Sequence, residues 1–185
     1  MAEAASVLDG ARYTGFVTVS EAGLHGMITL RGDLSSGAVA SALREVAGLA
    51  VPAQRRVMAG GDRAVAWMSP DEVLVMVPYA DAGSVAATLA QALAGEFATV
   101  ANVSDARAVF TLSGGAVDTA LMKLCPVDFA QLEPGEIRRT RAAQVAVALW
   151  RSGKDEVTLV CFRSVAAYVF GLLSNAATPG GETGL

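Results

Sequence analysis

The chain has 185 residues, enough for one ordinary domain or two small units that bury a core without disulfides. Its net charge of −4 excludes nucleic acid as a main partner, because phosphate binding needs concentrated positive charge. No apolar run approaches the roughly 18 residues that span a bilayer, Met1–Gly10 lacks a basic leader region, and a cytoplasmic protein with no membrane role is expected.

In chain order, residues 1–15 are expected to be a flexible N-terminus. A first α+β repeat is expected over residues 16–95. Phe16–Val19 and Met27–Arg31 read as strands, with Gly23 and Gly26 punctuating the turn between them. A helix follows over Ser36–Ala47, with Val39, Leu43 and Val46 at helical spacing, a serine cap and Gly48 as its stop. Three strands come next, at Arg56–Ala59, Arg63–Met68 and Val73–Pro78. Their turns are Gly60-Gly61-Asp62 and Ser69-Pro70-Asp71. A second helix runs over Asp81–Leu93.

Residues 96–173 are expected to repeat that order. Strands are predicted at Phe97–Val103 and Arg107–Ser113, then a helix over Ala116–Leu124 that stops before Pro126. Strands at Arg138–Arg141, Val145–Arg151 and Glu156–Phe162 lead to a closing helix over Ser164–Leu173. The rest, 174–185, is rich in Gly, Pro, Thr and Asn and is expected to be a disordered tail.

The two repeats also match residue by residue. Phe16-Val-Thr-Val19 answers Phe97-Ala-Thr-Val100, Ile28-Thr-Leu30 answers Phe110-Thr-Leu112, and Arg55-Arg56 answers Arg138-Arg139. Asp71-Glu-Val73 answers Asp155-Glu-Val157, and Ser84-Val-Ala-Ala87 answers Ser164-Val-Ala-Ala167, all at offsets of 80 to 84 residues. Five matches in one order at nearly one offset mark an internal duplication. The fold class is therefore α+β: a ββαβββα-like unit used twice, with mixed sheets and helices on one face. Core positions are expected at Ile28, Leu30, Leu43, Val65, Val75, Leu89, Phe110, Leu112, Leu121, Val147, Leu149, Leu159, Val169 and Leu172.

Groups that could carry chemistry are sparse. The single histidine, His25, lies in a turn between glycines, and Cys125 and Cys161 form no C-x-x-C pair. The sequence has no G-x-S-x-G, H-E-x-x-H, Walker A or G-x-G-x-x-G motif, so no catalytic, cofactor-binding or metal residues are assigned. The carboxylate pairs Asp71-Glu72 and Asp155-Glu156 recur in equivalent turns, which favours a structural role over acid–base chemistry. Charged residues make up 17% of the chain against roughly 25% in a usual soluble domain, and apolar residues reach 53%. That balance points to surface made for a partner, although an alanine-rich core gives the same composition. Candidate partner contacts are Arg138, Arg139 and Arg141, whose guanidinium forks suit carboxylates, together with Trp67 and Trp150. Solvated strand-edge arginines and core tryptophans are the alternative for the same residues.

The run Ala64-Val-Ala-Trp-Met-Ser-Pro-Asp-Glu-Val-Leu-Val-Met-Val-Pro78 resembles a motif of the sarcosine oxidase gamma subunit family. So does Val103-Ser-Asp-Ala-Arg107, followed in family order by Leu112-Ser-Gly114, Leu124-Cys-Pro-Val-Asp128, Pro134-Gly135, Arg139-Thr140 and Phe162-Arg-Ser-Val-Ala-Ala-Tyr168. The resemblance runs from about Ile28 to Leu173. It implies a non-catalytic subunit of a heterotetrameric flavoenzyme that oxidatively demethylates sarcosine in one-carbon metabolism. It implies an alpha-type large subunit as direct partner and, through it, beta and delta. FAD, FMN, NAD and tetrahydrofolate are then expected on the other subunits, with none in this chain. It also implies a fold similar to the folate-binding part of the glycine-cleavage aminomethyltransferase, which leaves a stand-alone folate-binding, one-carbon module as the alternative function.

Overall fold

The structure is a computed structural model and describes residues 4–182. Its strands are β1 (Arg12–Thr14), β2 (Thr18–Glu21), β3 (Gly26–Arg31), β4 (Val57–Gly60), β5 (Arg63–Ser69), β6 (Glu72–Val77), β7 (Thr99–Asn102), β8 (Arg107–Ser113), β9 (Ile137–Ala142), β10 (Val145–Gly153) and β11 (Glu156–Phe162). Its helices are α1 (Gly37–Ala47), α2 (Ala82–Ala92), α3 (Val117–Met122) and α4 (Ala166–Ala176). The ends of α1 are set by local chemistry. Ser36 Oγ accepts from the Ala38 N–H, and Gly48, in the left-handed region at φ 67°, returns its N–H to the Arg44 carbonyl.

Two sheets form, and they share one strand order. In the first the order is β1-β2-β8-β11-β10-β9; in the second it is β7-β3-β6-β5-β4. Leaving out β1, each sheet runs from a short first strand through the second, fifth, fourth and third strands of a repeat. The strand pairings are antiparallel throughout, which corrects the expectation of mixed sheets. Short hairpin turns join the last three strands of each repeat, and these permit only antiparallel neighbours. Even the irregularities recur: a bulge interrupts β5–β6 between Trp67 and Ser69, and another interrupts β10–β11 between Arg151 and Gly153.

The sheets do not follow the repeat boundary. The chain divides into one unit holding the described residues up to Gly23 together with those from Asp105 onward, and a second unit, Leu24–Ser104. The first strand of each repeat pairs in the sheet of the other: β2 pairs β8, and β7 pairs β3. A division at residues 95 and 96 therefore separates the repeats but falls inside the second compact unit. The exchange is held beyond the strand ends. The Ala22 N–H continues the ladder to Val109, the Val103 N–H bonds the Met27 carbonyl at 2.8 Å, and Ser104 Oγ accepts from the Met27 N–H at 2.9 Å.

Each unit has its own core on the helix-bearing face of its sheet. In the first, Phe110, Leu112, Leu149 and Leu159 meet Leu121 of α3 and Val169 and Leu173 of α4. In the second, Ile28, Leu30, Val65 and Val75 meet Leu43 of α1 and Leu89 of α2. Full burial of each such side chain is worth about 1.5–3 kcal/mol. The expected core positions are buried, with one exception. Leu172 is half-buried, because the inward face of α4 is Ala166, Val169, Leu173 and Ala176, and Leu172 stands a helical step off it.

Both termini are more ordered than expected among the described residues. Within the expected flexible stretch 1–15, Arg12–Thr14 is strand β1, paired with β2. The buried carboxylate of Glu21 accepts from Ser6 Oγ at 2.9 Å, the Leu8 N–H at 3.2 Å and the Gly10 N–H at 2.7 Å, tying that stretch to the sheet edge. In the expected tail 174–185, Ser174–Ala176 complete α4 and the Ala177 carbonyl bonds the Phe16 N–H at 3.0 Å. The remainder of both expectations, at 1–3 and 183–185, lies outside the described residues.

Candidate functional site

The two thiols and the recurring turn carboxylates are held in structural settings. Cys125 and Cys161 are buried, and burial pushes their thiols up to about 12 and about 11, so neither is a thiolate near neutrality. Asp71 sits in the β5–β6 turn, where Ser69 and Arg31 bond its carboxylate and hold its pKa below the usual value. It is a fixed anion, unsuited to proton transfer. The backbone carbonyl of Asp71 accepts from Gly32 at 2.9 Å, and that of Asp155 accepts from Gly114 at the same distance. The recurring Asp-Glu pairs are thus turn supports. Among the described residues no group of His, Cys, Asp and Glu is placed to hold a metal ion.

The five candidate partner residues do not come together. Arg138, Arg139 and Arg141 lie on β9, the edge strand of its sheet. Arg138 turns inward, ion-paired with Glu136, and its side chain is only 19% exposed. Arg139 and Arg141 are exposed and lie on the opposite face of the strand, across from Ala148 and Ala146 of β10. Trp150 belongs to that same face, but it is 6% exposed and hence unavailable as a surface anchor. Trp67 is half-buried in the other unit. The tryptophans are not counterparts: Trp67 pairs Val73 just before its bulge, where the other sheet places Arg151 opposite Val157.

Arg151 is a structural residue that the sequence reading missed. It is buried on β10, donating to the Leu132 carbonyl at 2.8 Å, the Phe129 carbonyl at 3.3 Å and the Lys154 carbonyl at 3.2 Å. One nitrogen also reaches both oxygens of Asp118 at 2.8 and 2.9 Å. This arrangement pins the long connection from α3 to β9. The available signal was an arginine ending an apolar strand, with an aspartate in the first turn of a nearby helix.

A depression lies in the second unit. It measures about 670 Å³ and is lined by Arg31, Gly32, Asp33, Val39, Asp71, Glu96, Phe97, Ala98 and Thr99. Arg31 and Asp71 form an exposed ion pair across it at 2.8 Å, and Asp33 is engaged by Ser35 Oγ at 2.6 Å. Phe97 stands at its lip, 103% exposed. The charges do not fit a folate tail or a dinucleotide, since those carry carboxylates or phosphates. Three carboxylates face the space, and the guanidinium is already committed to one of them. The sequence reading placed Phe97 at the start of a strand and missed it as a surface feature; its equivalence to Phe16 was the usable signal.

A family model described as the sarcosine oxidase, gamma subunit family matches residues 31–179. The chain is 35% identical over 145 residues to the sarcosine oxidase subunit gamma of Corynebacterium sp. (strain P-1), a match covering 76% of this chain and 70% of that protein. Among solved structures, it is similar to a chain of the heterotetrameric sarcosine oxidase from Corynebacterium sp. U-96 in complex with pyrrole 2-carboxylate. The TM-score there is 0.80 at 27% identity, covering 90% of this chain and 87% of that one. The glycine cleavage system aminomethyltransferase T from Bartonella henselae has a TM-score of 0.62 at 12% identity, covering 84% of this chain and 45% of that one. That second likeness is one of fold alone, and it is the fold that the sequence resemblance implied.

Proposed function

We propose that this chain, which belongs to the sarcosine oxidase gamma subunit family, is the non-catalytic subunit of a heterotetrameric, flavin-dependent sarcosine oxidase in the cytoplasm. The observation that carries this reading is the likeness to a chain of such an enzyme at a TM-score of 0.80, over 90% of this chain. In this reading the direct partner is an alpha-type large subunit, and beta and delta join through it. FAD, FMN, NAD and tetrahydrofolate sit on the other subunits, where sarcosine is oxidatively demethylated. Arg139 and Arg141, exposed on the β9 edge, serve as polar contacts at the rim of the interface. Their chemistry suits this, because a guanidinium pairs with a carboxylate in two parallel hydrogen bonds. A stand-alone folate-binding module rests on fold likeness only, and the carboxylates around the depression oppose it.

The test is affinity capture. A tagged copy of the chain, co-expressed with the large subunits of the enzyme, should retain a flavin-binding subunit through washing at moderate salt. Replacing Arg141 by alanine should weaken that retention severalfold, more so at low salt, while leaving the thermal midpoint of the isolated chain unchanged. Capture of the tagged chain with no flavoprotein attached would contradict the reading.

A further inference from the structure

Phe97 and Phe16 are counterparts whose surroundings differ. Each lies three residues before a valine, Val100 or Val19, which pairs with Leu30 or Leu112 across the sheet. Each is followed by a residue packed on an equivalent glycine. A Cβ at Gly32 would come within 3.2 Å of Ala98, and one at Gly114 within 3.3 Å of Val17.

In the first unit, Phe16 is covered. Its ring packs against the core. Its N–H donates to the Ala177 carbonyl at 3.0 Å. Lys123 Nζ stands 5.1 Å from the ring centroid and fastens the segment after α4 by bonds to the Ala176 and Gly181 carbonyls. In the second unit Leu93 and Ala94 stand where Ala177 and Thr178 stand, with the same bonds back to the helix, but they do not reach Phe97. The chain leaves α2 and turns through Leu93–Glu96 straight into Phe97, whose ring is left fully in solvent beside the depression.

We propose that the depression at Phe97 receives a short basic segment of a partner subunit that covers the ring, as the core and Lys123 cover Phe16 on the first unit. The inference rests on the assembly reading above. The charges select the occupant. Asp33, Asp71 and Glu96 outnumber Arg31, which is committed to Asp71, so the lining is net acidic. The segment therefore carries a lysine or arginine, doing for Phe97 and the carboxylates what Lys123 does beside Phe16, next to an apolar residue that covers the ring. Phe97 is the anchor, since a protruding aromatic ring that becomes buried dominates an interface of this kind.

The test uses the full chain co-expressed with the other subunits. Phe97→Ala should weaken assembly about tenfold or more, and Glu96→Lys should weaken it several-fold by charge reversal. Both variants should keep the isolated chain's thermal midpoint, because both side chains are exposed. A benzophenone amino acid placed at position 97 should cross-link to a lysine- or arginine-bearing stretch of another subunit. If the wild-type chain does not assemble, the assembly reading falls and takes this inference with it. If the wild type assembles and both variants assemble equally well, only the docking site is wrong. A cross-link to a second copy of this chain, or to an acidic stretch, would also overturn it.

Discussion

At the scale of single residues, burial decides what the two thiols do. Cys125 is 3% exposed and Cys161 is 1% exposed. Desolvation raises Cys125 from about 9 to about 12, and raises Cys161 to about 11 against the opposing pull of Arg107. Both folded values lie above the unfolded ones, so the stabilisation is complete below about pH 9. It is lost as pH rises from there toward the folded values, at about 1.4 kcal/mol per pH unit for each thiol. The native chain should take up no iodoacetamide at pH 8 and should take up two equivalents in denaturant. Its unfolding free energy should fall with pH above 9, more gently in a Cys125→Ala variant. Rapid native labelling of Cys125 would contradict the buried assignment.

At the scale of elements, Arg151 links β10, α3 and the connection that precedes β9. Arg151→Ala removes the donors from three backbone carbonyls and leaves Asp118 without its partner. The cost should be about 2–4 kcal/mol. Asp118→Ala should cost less, about 1–2 kcal/mol, since that carboxylate is 38% exposed and partly screened by water. Chemical denaturation of the two variants checks both values and their order. Neither should reduce the strength of assembly measured on the folded chain.

Much of the element layout was legible because its signals are local. Ser36 and Gly48 bracket α1 as capping chemistry requires, and short, nearly continuous apolar runs bounded by turn residues place β5, β6, β10 and β11. What was not legible depends on partners distant in sequence. The motif around Gly23 and Gly26 is compatible with a hairpin, and nothing local says that β2 pairs β8 while β3 pairs β7. Trp67 and Trp150 read from the sequence as partner contacts or as core residues. The bulge register makes Arg151 the counterpart of Trp67, and Trp150 is buried on the other face of its sheet. Of the three arginines, strand alternation sets Arg138 apart from Arg139 and Arg141, while its ion pair with Glu136 depends on the folded chain. The depression is not legible in the sequence because it depends on the Phe97 ring standing in solvent where the Phe16 ring packs against its core, a difference visible only once the chain is folded.

At the scale of the whole molecule, two sheets of one design each take their first strand from the other repeat, so neither repeat is a complete unit by itself. The body this produces has low charge, buried thiols and fixed turn carboxylates, together with an exposed arginine edge and an exposed phenylalanine. Those properties suit a subunit whose work is done in contact with others. The most direct test is native mass spectrometry of the enzyme purified after co-expression of this chain with its candidate partner subunits. The account predicts an assembly that contains one copy of this 18.9 kDa chain and that loses this mass, as a folded and colourless component, when the interface is disrupted. An active, fully assembled oxidase lacking this mass, with the chain recovered alone, would contradict it.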